Sequence, residues 1–505
     1  GYCILSSLIS SGTLDLPSKE IMVFFDIMKV EKDTLHTRWR KYKAATLASE
    51  LLCYSEALQS LEFYLIHSLG GQKKRNTDTF KYFSELIGNF ISSLLDTLKG
   101  TSGQVHHAMQ QLQLSLIKAF VAIPLCAISQ SCKNTFFDLC TLLLTPPQGT
   151  PLSRTSMLKK LLNELDAPLG PWYHGCDQLQ DELQDFQGGL NSQQLYIQYK
   201  KGSPGTVFHY SVSIETALVD ASLSLLKHLF SGLDAKQQKQ FVDLVIQSMS
   251  SVKNMGRNER KKNGDTILTN ASCTLISILD SLELGQKGSK QQMKIVEGIL
   301  PSAKILLEEG QGHVALLRAS AEIVAKVCHL GGEDLTTSVV MALCKENIAS
   351  LSNDARRGFI LWFGAIGRSL GGIGLSAFLN LIVGKLQQAV SSGIDLQSQA
   401  WLLHSFWLIA DAAGPAFVPH VKQLLMIATQ VHILAAHGAS ATFQTIARIA
   451  NSVVGVLGPE FSPGTFAFQR SRLLIHVTTA NVGSGSELEQ VLHIQQLLLF
   501  APHVA

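Results

Sequence analysis

The stretch Gly372-Ile-Gly-Leu-Ser-Ala377 spells G-x-G-x-x-A, the spacing in which backbone amides of a strand-to-helix turn receive a dinucleotide pyrophosphate. That chemistry needs a strand before the first glycine. A helical pattern precedes it here, so the motif reads as a Gly-rich turn between helices. Lys253, Arg257, Arg260, Lys261 and Lys262 form a basic run in a loop with Gly256 and Gly264. They are candidates for meeting acidic partner segments or lipid headgroups, against the plainer reading of a solvated loop; Lys73, Lys74 and Arg75 are read the same way. Trp362, Trp401 and Trp407, with Phe359, Phe363 and Phe406, make an aromatic belt. Most of it should be core between stacked helices, and any exposed member is a candidate peptide-binding hot spot.

Other reactive side chains fall into no working pattern. His106, His107, His404, His432, His437 and His493 show no H-E-x-x-H or other ligand spacing, so no metal is expected. No G-x-S-x-G elbow, P-loop or pair of carboxylates at a strand end is present, so no catalytic residue, cofactor or small-molecule substrate is expected. The nine cysteines lack any C-x-x-C pair and fall mostly on apolar helical faces, as free thiols of a reducing compartment do. Asn270-Ala-Ser272 matches a glycosylation acceptor but sits in a predicted helix, where the match is accidental.

What positions these residues follows from composition and period. The chain has 505 residues, 46% hydrophobic and 16% charged, with a net charge of +3. One core seldom grows past about 250–300 residues, so the chain must divide or repeat. Disorder is excluded by the apolar content, and near-neutral charge gives no reason to expect nucleic acid or an anionic membrane. The longest uncharged stretch, Gln423 to Ala447, is interrupted by Gln430, His432, His437 and Gly438, so no membrane span is predicted. The sequence opens at Gly1 without Met and closes at Ala505 just past an apolar helical pattern, which reads as an internal fragment.

Turns recur at Gly331, Gly371, Gly414, Gly458 and Pro502, at intervals of 40, 43, 44 and 44, with an earlier one at Gly285. That is the period of HEAT or armadillo helix pairs. Before each turn, apolar residues fall at helical offsets: Ile323, Phe363 and Phe406 eight before, and Leu330, Leu370 and Ala413 one before. One hairpin cannot bury its own apolar stripe, and stacked neighbours can. The expected fold is therefore all-α, a HEAT/armadillo-type α-solenoid of antiparallel helix pairs. Residues 1–145 read as degenerate helical repeats, with amphipathic patterns over Thr34–Leu69, Phe80–Leu98 and Gln104–Leu144. Residues 146–211 read as an irregular Pro/Gly-rich insertion, with a short helix at Ser156–Leu165 and strand-like alternation at Leu195–Tyr199. Residues 212–505 read as the repeat array, opening with helices over Val212–Phe230, Lys236–Ser250 and Thr266–Leu284.

Four blocks in order carry a resemblance. Arg357-Gly-Phe with Gly367-Arg-Ser-Leu-Gly-Gly-Ile-Gly374 comes first, then Gln399-Ala-Trp-Leu-Leu-His-Ser405 with Leu408-Ile-Ala-Asp411 and Gly414-Pro415. Val456-Leu-Gly-Pro-Glu460 and Gln495-Gln-Leu497 with Leu499-Phe-Ala-Pro502 follow. Together they resemble the HEAT-repeat-containing protein 5 family over about 212–505, and Leu169-Gly-Pro-Trp172 extends the likeness upstream. The resemblance implies a long cytosolic scaffold in clathrin-adaptor traffic between the trans-Golgi network and endosomes, covering endocytosis, retrograde transport and protein localisation. It implies the clathrin adaptor complex and its accessory proteins as partners. Membrane association would be peripheral and through those partners, on trans-Golgi, endosomal and clathrin-coated membranes. The competing expectation is another HEAT-class binder, such as a nuclear-transport receptor or a phosphatase regulatory subunit. A transport receptor should be markedly acidic, which +3 overall is not. A third expectation is an enzyme whose catalytic domain lies outside this segment.

Overall fold

The structure, a computed structural model, describes residues 22–23, 25–29, 39, 41–67, 77–94, 104–145, 213–284, 290–310, 313–391, 396–417, 419–420, 423–424 and 427. The described residues are helical, with no strand among them, and the fold is an all-α solenoid. The expected short helix at 156–165, the strand at 195–199 and the turns at Gly285, Gly458 and Pro502 lie outside them. The chain groups into two compact units, divided after Ile295. The helices between 214 and 284 group with the N-terminal ones, and the chain from Val296 onward belongs to the second unit.

The first unit holds α1 (Ala44–His67), α2 (Thr77–Leu94), α3 (Gln104–Val121), α4 (Gln130–Leu144), α5 (Ile214–Leu229), α6 (Ala235–Ser251) and α7 (Asp265–Leu284). The pattern over 104–144 is two helices and not one. Pro124 cannot supply an amide to a continuing helix, and it caps a short 3-10 turn at Leu125–Ala127. Ser129 then starts α4 by accepting from the Cys132 amide at 3.3 Å; Ser213 and Asp234 start α5 and α6 in the same way, at 3.3 and 2.9 Å.

Alternate helices form two layers. In one, the Ser55 and Ser115 hydroxyls lie 2.8 Å apart between α1 and α3, His228 Nε2 at the end of α5 is 2.8 Å from the Ile123 carbonyl just past α3, and Lys227 of α5 meets Asp280 of α7 at 2.8 Å. In the other, the Cys132 thiol of α4 donates to the Ser84 carbonyl of α2 at 3.6 Å, and Phe137 of α4 packs edge-on to Phe241 of α6 at 5.2 Å. The Cys140 thiol joins the layers by donating to the Ser222 carbonyl at 3.1 Å. The N-terminal helices are therefore paired and layered like a repeat, although their spacing along the sequence is uneven.

The second unit begins within α8 (Lys290–Glu309) and continues through α9 (Val314–Lys345), α10 (Asn353–Ser376), α11 (Leu379–Ser391) and α12 (Leu396–Ala413). Helices α9 and α10 each contain a sharp reversal, at Gly332 (φ 71°) and Gly371 (φ 69°), and Gly414 (φ 52°) ends α12. Only glycine takes that left-handed conformation at little steric cost. Of the three expected turn glycines among the described residues, Gly371 and Gly414 are found at the expected place. The first is Gly332 and not its neighbour Gly331; a Cβ on Gly331 would collide with the Leu335 side chain, so Gly331 is a glycine for close packing and Gly332 for its backbone conformation.

The helices before these turns stack directly on one another. Trp362 Nε1 donates to Ser320 Oγ at 2.9 Å, Ser369 Oγ to the Ala325 carbonyl at 3.0 Å, and Ser405 Oγ to the Ile360 carbonyl at 3.1 Å. The partners are 42, 44 and 45 residues apart, so the sequence period reappears as inter-repeat hydrogen bonds. The outer helices are joined by Lys385 Nζ to the Glu346 carbonyl at 2.8 Å, 39 residues away. Two helices, Asp265–Leu284 and Asn353–Ser376, are long and apolar enough to cross a membrane, yet 83% and 61% of their apolar windows are buried by protein. They serve as core.

Candidate interaction surfaces

The basic segment is helical and not a loop. After α6 a 3-10 turn (Val252–Asn254) leads to Gly256, from which one α-turn (Arg257–Glu259) runs into a π-turn (Arg260–Gly264) and on into α7. The Arg260 amide donates to the Gly256 carbonyl at 2.8 Å, closing the first turn. Gly256 has no side chain with which to cap the amides after it. The π-turn comes where Gly264 packs: a Cβ there would stand 3.2 Å from Arg260 Cγ and 3.3 Å from Val252 Cγ1. Val252 is buried, so the turn is anchored on the core by its apolar side. Lys253, Arg257 and Arg260 are exposed; extended Met255 and Gly256 separate Lys253 from the other two, and Arg257 and Arg260 lie three residues apart on the helical part. Lys261 and Lys262 follow on the π-turn, their side chains lying outside the described residues.

The tryptophans behave differently. Trp401 is wholly buried and Trp362 is 6% exposed, its N–H held by Ser320 and its ring against Phe359 at 5.8 Å. Both are therefore seam residues, and their candidacy as surface hot spots is withdrawn. A large amphipathic ring spends its apolar area between repeats once a hydroxyl is at hand for its N–H. The Trp407 side chain lies outside the described residues. His106 and His107 are exposed and His404 is buried; among the described residues no group of three or more His, Cys, Asp or Glu could hold a metal ion.

The G-x-G-x-x-A stretch begins directly after the left-handed Gly371 and forms the last turn of α10, with a helix before it as the sequence pattern requires. It leaves Ile373 95% exposed. The described cysteines are free, and Cys132, Cys140, Cys273 and Cys328 are buried. Burial pushes the Cys328 thiol up to about 12, against a smaller opposing hydrogen bond with Thr336, and it raises Cys140 and Cys273 as well. Thiols held so high are poor nucleophiles and behave as small hydrophobes. Asn270 and Ser272 are buried in α7, where the Ser272 hydroxyl donates to the Thr269 carbonyl at 2.9 Å.

The seam glycines are what sequence reasoning misses. A Cβ on Gly364 would stand 2.7 Å from Ser405 Cα, and one on Gly367 would stand 2.8 Å from Ile409 Cγ1. A glycine inside a helix, one period before a small or branched residue, is the signal that marks them.

No protein-family model matches the chain. A curated protein, Protein SWEETIE of Arabidopsis thaliana, is 28% identical over 399 residues, which are 77% of this chain and 17% of the relative. The chain thus spans less than a fifth of that relative's length. Among structures, a crystal structure of Kap121p aligns over 100% of this chain and 54% of its own, at 12% identity and a TM-score of 0.38. A homology model of the full-length AP-3 complex aligns over 99% and 90%, at 11% identity and a TM-score of 0.34. At these scores the structural likenesses carry no functional argument. What the chain shares at sequence level is a relative four-fifths of which lies beyond the matched region.

Proposed function

We propose that this chain is part of a non-catalytic repeat scaffold that binds other proteins. The observation that carries the reading is how its chemistry-bearing side chains are used. Trp362, Trp401, His404 and four cysteines are spent inside the helix stack, while charge is displayed on the outside at Lys253, Arg257 and Arg260. A surface of stacked helices offers extended faces for helix or segment docking.

The finer reading is a role in clathrin-adaptor-dependent vesicle traffic between the trans-Golgi network and endosomes, in the cytosol and on those membranes through partners. The ordered sequence blocks from Arg357 to Pro502 support it. Of the described members of those blocks, Gly367, Trp401 and Ser405 are seam residues, whereas Gly372, Ile373 and Gly374 are exposed. The likeness therefore speaks for shared descent, and partner choice follows from descent and not from a visible site. Proximity labelling with the intact protein tests it. Enrichment of clathrin-adaptor subunits and their accessory proteins is expected; recovery of nuclear-pore proteins without adaptor subunits overturns it.

A further inference from the structure

We propose that an acidic, leucine-bearing stretch of residues 146–211 docks along the inner face of the second unit, so that the chain covers this face itself. The inference goes beyond the scaffold reading and does not depend on it. Its ground is a repeat position that is buried where a solenoid helix would meet water. Ten residues before each left-handed glycine, Gly332, Gly371 and Gly414, stand Glu322, Leu361 and His404. The three are 1%, 0% and 1% exposed. Equivalent positions of successive repeats share one face of the layer that α9, α10 and α12 form.

The neighbours of α10 locate that face. Trp362 and Gly358 turn to α9, at Ser320 and Leu317, and Gly364 turns to α12 at Ser405. Arg356 donates to the Ile348 and Leu351 carbonyls at 3.2 Å each, and Gly367 meets Leu375 beyond the reversal, which places the outer helices on a third side. At 3.6 residues per turn, Leu361 and Ala365 fall on the fourth side, away from α11. Ala365 is 0% exposed as well. Among the described residues, the elements packed against α10 are α8, α9, α11, α12 and the turns at its ends, each on one of the other sides. A further part of the chain therefore lies over Leu361 and Ala365.

Charge and sequence pick the covering segment. In the same register α10 carries Arg357 and Arg368 on either side of Leu361 and Ala365, and α9 carries Arg318 and Lys326 on either side of Glu322. An apolar centre between basic ends calls for leucines set among acids. Residues 177–185, Asp-Gln-Leu-Gln-Asp-Glu-Leu-Gln-Asp, supply four carboxylates, two leucines and no basic residue. Their glutamines can also meet the buried Glu322 and His404, which a purely apolar cover would leave at a cost. Residues 428–459 hold no acidic residue and continue the repeat period past α12 to Gly458, so they are the poorer match. Reach is no obstacle. Helices of one layer stand about 8–10 Å apart, and nine extended residues span about 30 Å, enough to cross three of them.

The test uses the full-length protein with Ala365→Cys and follows maleimide labelling of the introduced thiol by peptide mass spectrometry. With residues 146–211 in place, that thiol should react at least about tenfold more slowly than the exposed Cys126. Exchanging 146–211 for a Gly/Ser linker of the same length should raise its rate by about tenfold or more, and adding back a peptide of residues 172–190 should lower it again. Hydrogen exchange over α9–α12 checks that the exchanged protein is folded. If it is not, D177N/D181N/E182Q/D185N carries the comparison with a smaller rise. An introduced thiol that reacts as fast as Cys126 in the unexchanged chain overturns the proposal. So does protection that survives in whichever of these folded variants is compared, since it assigns the cover to another part of the chain. Neither arm measures a partner, so proximity labelling tests the scaffold reading separately.

Discussion

Trp362 of α10 donates its indole N–H to the Ser320 hydroxyl of α9 at 2.9 Å, one repeat away. Ser320 in turn donates to the Leu317 carbonyl at 2.7 Å, so the hydroxyl both gives and receives in a dry seam. Leaving either buried partner unsatisfied costs about 1–3 kcal/mol, more than the net contribution of the bond itself. Ser320→Ala and Trp362→Phe should therefore each destabilise the second unit. In a double-mutant cycle followed by urea unfolding they should couple by about 1 kcal/mol. Strictly additive losses would show that the bond contributes nothing.

Gly364 and Gly384 are both helical glycines with opposite surroundings. A Cβ on Gly364 meets the Ser405 backbone at 2.7 Å, whereas one on Gly384 meets nothing within 4 Å. Gly364→Ala should force α10 and α12 apart at a cost of about 1–3 kcal/mol. Gly384→Ala should stabilise α11 by up to about 1 kcal/mol through helix propensity alone. Hydrogen exchange should show faster opening over 353–370 and 396–413 in the first variant only.

The left-handed turns give a conformational prediction. Gly371→Ala places a Cβ in open space, so any loss comes from the φ of 69° and not from a clash. The expected cost is about 1–2 kcal/mol, and Gly371→Asn should recover part of it because Asn tolerates that conformation better. Equal unfolding midpoints for the parent and the alanine variant would contradict this.

These glycines also show how far the sequence can be read. Gly371 and Gly414 are visible as period markers because a repeat must reverse at a fixed interval. Gly331 and Gly332 are not separable that way, since both must be glycine for different reasons: Gly332 takes the left-handed turn and Gly331 packs against the Leu335 side chain. The basic segment looks like a loop because Gly256 and Gly264 flank charge, yet Gly264 is there for close packing on Val252. The tryptophans cannot be sorted into core or surface until Ser320 is known to stand opposite Trp362. Partner identity is least legible of all. Seam positions are constrained by periodic packing, whereas exposed charged positions such as Arg257 and Arg260 follow no repeat period.

Alkaline pH probes the buried thiols directly. Burial holds the Cys328 thiol protonated up to about 12 in the folded chain, while an unfolded thiol ionises near about 8.5. As pH rises, the unfolded state loses its proton first, so the contribution of Cys328 is complete below about 8.5 and declines from there towards 12. At pH 10 the expected loss is about 2 kcal/mol for this one group, from about 1.4 kcal/mol per pH unit. Cys328→Ala removes the titration while adding a pH-independent packing cost. The gap in stability between parent and variant should therefore narrow from pH 8 to pH 10 by about that amount, read from unfolding midpoints in reducing buffer. A gap that stays constant across this range would mean that Cys328 ionises in the folded protein as readily as in the unfolded chain. Iodoacetamide should meanwhile modify the exposed Cys126 well before Cys328.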